Sequence, residues 1–159
     1  MFKTKRTDWY FIVPASLIWI SAIIVTTWDF VQVQKTIYHF GFINIIGLSS
    51  MLIGVLIRIR ARQTLGRYFS YGLRTLGKHK LVKYDIYKYI RHPAYLGSFL
   101  FSFGIPLLFS SLYGFLIMLL LVPFFLYRIK IEENVLIEKF GNKYCEYTKS
   151  SKKLIPYIY

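Results

Sequence analysis

Acidic residues are scarce in this 159-residue chain: seven Asp and Glu stand against 21 Lys and Arg, for a formal net charge of +14. Cysteine is scarcer still. Cys145 is alone, which excludes an intrachain disulfide and a zinc cluster built from cysteines. The ending Tyr157-Ile158-Tyr159 is no prenylation box. Internal repeats and low-complexity tails are missing, and several long runs carry no charge of either sign. Much of the rest is apolar: 55% of residues are hydrophobic and 19% aromatic. A basic chain can hold nucleic acid. Here the basic residues fall in blocks between apolar runs, so the expected partner is an anionic lipid bilayer and not nucleic acid.

The first run, Trp9 to Trp28, matches the roughly twenty apolar residues that cross a hydrocarbon core of about 30 Å. Tryptophan at both ends fits the interfacial belt. The run is too long for a signal peptide and lacks a small-residue cleavage pattern, so it reads as a retained span. Spans are expected near 9–28, 36–57, 93–110 and 114–128. In the second, Gly47, Met51 and Gly54 fall near one face, where small residues let a neighbouring helix approach. Asn44 is expected to donate an interhelical hydrogen bond, and His39 to be interfacial. Ser111-Leu112-Tyr113-Gly114 reads as a tight turn, which makes the third and fourth helices an antiparallel hairpin. Pro106 and Pro123 are expected to kink them.

Orientation follows from charge. Lys3, Lys5 and Arg6 precede the first run, and Lys35 alone follows it. Ten Lys and Arg lie between Arg58 and Arg91, the hairpin turn has none, and seven lie from Arg128 onward. By the positive-inside rule both termini and the basic loop face the cytoplasm. The expectation is an all-α, multi-pass integral membrane protein. It has about four transmembrane helices, a C-terminal helical hairpin and a cytosolic amphipathic C-terminal helix, in one domain over 1–159.

Two places carry candidate chemistry. Arg91-His92-Pro93 sits where the basic loop meets the third run. Proline suits the first turn of a helix, whose free N–H groups and positive dipole end attract an anion. The same residues also read as a plain membrane boundary with Arg91 as a headgroup anchor. From Arg128 to about Lys149, Ile129, Leu136, Ile137, Phe140, Tyr144 and Tyr147 form one stripe at helical spacing, interrupted at Gly141. Glu133 falls on that stripe and Glu132 at its edge, and a carboxylate on an apolar face is costly unless it is paired or solvated. An Arg128–Glu132 surface pair is the simpler reading, worth only a few tenths of a kcal/mol. The hairpin returns both glutamates to the side of Arg91-His92. The result is a mixed-charge pocket at the cytoplasmic face, suited to an enzyme or binder that acts on an amphiphile. No metal site is expected.

His79-Lys80-Leu81-Val82, Tyr87, Arg91-His92-Pro93-Ala94-Tyr95-Leu96-Gly97, Arg128, Glu132-Glu133, Phe140-Gly141, Tyr144 and Tyr147 together resemble the isoprenylcysteine carboxyl methyltransferase family, to which phospholipid methyltransferases are related. The resemblance covers roughly 77–147. It implies a membrane enzyme that uses S-adenosylmethionine and methylates the carboxylate of an isoprenylcysteine-type group. By that resemblance His79, Lys80, Leu81 and Val82 hold the adenosyl part, largely through backbone groups. Tyr87, His92, Pro93, Ala94 and Tyr95 contact the cofactor, Glu132 sits on it, and Arg128 faces the substrate. Glu133 is a further candidate for the cationic centres of the cofactor. A carboxylate nucleophile is already ionised at pH 7, so catalysis rests on positioning and desolvation. An amine nucleophile would want a base, for which Glu132, Glu133 or His92 would serve. One departure stands out: Asp85 occupies a position where the family usually has glycine, although Asp takes a positive φ more readily than most residues. Alternative readings are a phospholipid or other amphiphile methyltransferase, a nicotinamide-dependent membrane reductase, and a non-enzymatic lipid-binding scaffold.

Overall fold

A computed structural model describes residues 7–34, 39–66 and 81–155; His79 and Lys80 lie outside them. The described residues form helices α1 (Thr7–Asp29), α2 (Phe42–Leu65), α3 (Pro93–Leu108), α4 (Leu112–Leu119), α5 (Leu121–Phe140) and α6 (Asn142–Ser150). A π-helical turn follows α1 at Phe30–Gln34, and a 3-10 turn at Asp85–Lys88 precedes α3. Extended pairing among the described residues is confined to one parallel bridge, Ile90 with Lys152.

Among the described residues, three stretches are long and apolar enough to cross a membrane: Tyr10–Gln32, Phe42–Leu65 and Leu112–Phe140. Helix α3 is apolar but has 16 residues, a rise of about 24 Å. It stops at Leu108, two residues after Pro106, and Ser110 turns the chain with φ of 55°.

Several expected boundaries move, each for a local reason. The second helix does not end near Ile57. It carries Arg58, Arg60 and Arg62 on to Leu65, because no breaker occurs before Gly66, where φ is 51°, and basic groups suit a helix C-terminus. The hairpin turn lies before Ser111-Leu112-Tyr113-Gly114 rather than within it. Ser111 caps α4 by accepting a bond from Gly114 N at 3.1 Å, so Leu112 to Gly114 are already helical. The fourth run breaks between α4 and α5 at Leu120. Pro123 has no N–H for the Leu119 carbonyl and its ring presses on that carbonyl, which explains the break. Arg128 starts no new helix: α5 runs through it to Phe140, and Gly141, with φ of 52°, ends the helix. Along the expected stripe Ile129, Tyr144 and Tyr147 are buried, whereas Ile137 is exposed.

Two glycine pairs set a close contact between α2 and α3. A Cβ on Gly54 would lie 2.6 Å from Gly97 O, and one on Gly97 would lie 2.5 Å from Gly54 O. One heptad away, a Cβ on Gly47 would meet Gly104 O at 2.8 Å. Helices α2 and α3 thus pack antiparallel, backbone against backbone. Buried Asn44 locks one end: its Nδ2 donates to Leu108 O and to Ser110 Oγ, each at 2.8 Å, and its Oδ1 accepts from Gly41 N at 2.7 Å. His39 is exposed, as an interfacial residue would be. On the other side of α3, Phe103, Met118, Leu121 and Ala22 form the core between α1, α3 and the α4–α5 unit. Trp19 Nε1 donates to Ser102 Oγ at 3.1 Å across α1 and α3.

Candidate active site

The site is assembled where α3 begins and α5 passes it. His92 caps α3 and Pro93 occupies its first turn. Tyr95 N and Leu96 N both donate to His92 O at 3.1 Å. Proline has no N–H, so Ala94 holds the remaining amide of that turn. This narrows the expected helix-terminus anion site to one backbone donor.

Arg128 and Glu132 face the same turn of α3 from α5. Arg128 is buried, with its guanidinium 5.4 Å from the centre of the Phe11 ring. The Tyr95 hydroxyl is within hydrogen-bonding reach of both Arg128 and Glu132. The reading of Arg128 and Glu132 as an exposed helix pair is therefore replaced by a cation and an acid that converge on a tyrosine inside the fold. The Tyr95 ring in turn packs edge-on against His92 at 5.8 Å and Phe125 at 6.2 Å.

Tyr87 closes the side facing the basic loop. It is buried with Val82 and Ala61, and Leu65, Ile86 and Ala94 pack on this cluster. Leu81 is half-buried beside Val82. Burial, then the Glu132 carboxylate beside it, pushes the Tyr87 phenol up. Tyr147 donates to Tyr87 O at 2.5 Å, which ties α6 to this wall. Tyr144 is also buried, and its hydroxyl has no hydrogen-bond partner among the described residues; burial and then Glu133 push its phenol up.

Glu133 points elsewhere than Glu132. Its Oε1 is 2.8 Å from Arg91 Nε and 3.5 Å from His92 Nε2, and its Oε2 is 3.3 Å from Lys153 Nζ. Arg91 is therefore no headgroup anchor, since its side chain is 10% exposed and bound to the protein. His92 is 3% exposed, with its Nε2 turned toward Glu133.

Asp85 accounts for its own departure. Its φ is 57°, in the left-handed region that favours glycine. Its carboxylate accepts from Thr64 Oγ1 at 2.6 Å and pairs with Arg60 Nε at 2.7 Å. The bond from Thr64, then those from Arg60, hold its carboxyl below the usual carboxylate value. The residue keeps the backbone a glycine would take and adds a clip to the end of α2.

Residues 45–138 match the model of the isoprenylcysteine carboxyl methyltransferase family, more than half of the chain. The chain belongs to this family. It is 35% identical over 118 residues to the protein-S-isoprenylcysteine O-methyltransferase of Saccharomyces cerevisiae, covering 72% of this chain and 49% of that protein. It is 34% identical over 123 residues to a probable protein-S-isoprenylcysteine O-methyltransferase of Oryza sativa subsp. indica, covering 76% and 64%. The solved structure of a eukaryotic intramembrane Ras methyltransferase, itself an isoprenylcysteine carboxyl methyltransferase, superposes with a TM-score of 0.79 at 26% identity. That match covers 99% of this chain and 55% of the other. This family member thus spans about half to two thirds of the length of these relatives.

Among the described residues, the structure brings Val82, Tyr87, Ala94, Tyr95, Arg128 and Glu132 near one another. Sequence reasoning misses Ser151 and takes Lys152 and Lys153 as orientation charge alone. It also misses Tyr144 as an inward-facing polar group, although its place on the apolar stripe held that signal.

Proposed function

We propose that this chain transfers a methyl group from S-adenosylmethionine to the carboxylate of an isoprenylated cysteine at the cytoplasmic face of a membrane. The observation that carries this reading is the convergence of buried Arg128 and of Glu132 on Tyr95, beside the start of α3, in a member of this family. The donor set fits the cofactor. One buried polar atom, Tyr144 Oη, lacks a hydrogen-bond partner among the described residues. Tyr87, Tyr95 and Tyr144 supply aromatic walls. Glu132 would supply the negative charge that ammonium and sulfonium centres need, and the Ala94 amide would be the helix-terminus donor for the methionine carboxylate. By the family resemblance, His79, Lys80, Leu81 and Val82 would hold the adenosyl part.

When bound, S-adenosylmethionine supplies an electrophilic methyl group on a sulfonium sulfur. Arg128 holds the acceptor carboxylate with its planar fork, and the Phe11 ring under the guanidinium fixes its plane. That carboxylate is ionised near pH 7, so no residue has to take a proton. Glu133, already engaged by Arg91, His92 and Lys153, orients the wall rather than touching reactants. An apolar chain has room nearby: a groove of about 330 Å³ lies among α1, α2 and α3, lined by Trp19, Gly54, Val55, Phe101, Arg58 and Ser98.

In this reading the chain crosses the bilayer four times, α3 being a short crossing, with both ends and the site cytoplasmic. The alternation of basic and uncharged connections supports that orientation. The test is transfer of labelled methyl from S-adenosylmethionine to an amine-blocked farnesylcysteine by the full chain in detergent. Label released by mild alkali, as from a methyl ester, is expected. Label appearing in phospholipid headgroups of added membranes instead would overturn the acceptor assignment.

A further inference from the structure

The chain after α6 does more than end a helix. Lys152 N donates to Tyr89 O at 2.9 Å, Arg91 N donates to Lys152 O at 2.8 Å, and His92 N donates to Lys153 O at 3.2 Å. Arg91 Nη1 reaches Ser151 O and, at 3.3 Å, Thr148 O. Ser151 is buried and its hydroxyl donates to Tyr147 O at 2.7 Å. So the backbone amides of the two residues ahead of α3 are satisfied by this segment, and buried amides are rarely left unpaired. The segment is fastened at its far end by Lys153 on Glu133, the carboxylate that also holds Arg91 and His92. The segment Ser151–Lys153 itself lies beyond residues 45–138, the part that matches the family, whereas Tyr89, Arg91, His92 and Glu133 lie within it.

We propose that Ser151–Lys153 form a strap that positions the His92–Pro93 edge of the cofactor pocket, with the Glu133–Lys153 pair as its latch. The proposal rests on the methyltransferase reading and adds positioning residues to it. The route is short. Lys153 sets Glu133 and the backbone of His92, His92 sets the first turn of α3, and that turn carries Ala94 and Tyr95 into the pocket. Glu132, one residue before Glu133, is left to face the cofactor.

The experiment uses the full chain in detergent, with Lys153→Met, which keeps the aliphatic stem and removes the charge, Lys153→Arg, Glu133→Gln, the double variant, and exposed Lys149→Ala as control. Calorimetry gives the S-adenosylmethionine Kd, and turnover at saturating cofactor gives kcat. Lys153→Met is expected to raise Kd roughly tenfold with kcat within about twofold, and Lys153→Arg to restore it. The double variant should lose little more than Glu133→Gln alone, since the two groups act as one unit. A lowered Tm with unchanged Kd would make the strap merely structural and overturn the proposal, as would additive effects in the double variant. Wild-type protein that binds no S-adenosylmethionine would instead sink the methyltransferase reading itself.

Discussion

Helix α3 carries one wall of the pocket, and its position depends on glycine. Gly54→Ala puts a methyl 2.6 Å from Gly97 O and 2.7 Å from Phe101 N, whereas ordinary contact begins near 3.4 Å. Both obstacles are backbone, so no side chain can swing aside. The helices must part by roughly 0.8 Å, or the backbone must bend; overpacking of this kind costs about 1–3 kcal/mol. Alanine recovers up to about 1 kcal/mol through helix propensity, leaving a net loss of up to about 2 kcal/mol. Gly97 is one turn from Pro93, so part of the displacement reaches Ala94 and Tyr95, and a misplacement near 1 Å can lower turnover as much as 100-fold. Thermal unfolding in detergent should show a lower Tm for Gly54→Ala, with exposed Ser49→Ala on the same helix unchanged. Gly97→Ala should cost little more once Gly54→Ala is present, because both methyls intrude at one crossing. A Gly54→Ala protein that melts at or above the wild-type temperature with full turnover would refute the backbone contact.

Three further outcomes follow from the site. Arg128→Ala should abolish methyl transfer while leaving S-adenosylmethionine affinity within about threefold, and Arg128→Lys should recover little, because a point charge cannot replace the planar fork; calorimetry and turnover separate the two effects. At Asp85, Tm should fall in the order wild type, Asn, Gly, Val: Asn and Gly accept the positive φ of 57° but lose charge or clip, whereas a β-branched residue also strains the backbone; a Val variant as stable as Gly would contradict this. Burial pushes the Tyr147 phenol up to about 12 from its ordinary 10, and Tyr87 and Tyr144 shift the same way. The unfolded chain therefore releases these protons first, so stability should be lost as pH rises from about 10 toward 12. Tyr147→Phe should flatten that fall in Tm but lower Tm at neutral pH through the lost bond to Tyr87 O.

Features legible in the sequence were those encoded by local pattern. Gly47, Met51 and Gly54 announced a close helix contact, and Asn44 announced a polar anchor, but their partners Gly104, Gly97 and Leu108 are set by tertiary pairing that no local pattern specifies. Helix ends were misplaced where charge was taken for a stop signal: Arg58 marks a change of solvent, whereas Gly66 marks the end of the helix. Adjacent Glu132 and Glu133 point about 100° apart around a helix, so the sequence separates a residue on the stripe from one at its edge, and only the structure shows that Glu132 faces Tyr95 and Glu133 faces Arg91. Lys153 was read as orientation charge because its carboxylate partner lies twenty residues earlier, across a helix break.

The most direct test is a calorimetric titration of S-adenosylmethionine into the purified full chain and into Glu132→Ala. Saturable one-to-one binding to the wild type, weakened at least tenfold in Glu132→Ala, is the predicted result. Equal affinity in the two proteins, or no saturable binding to either, would contradict the pocket described here.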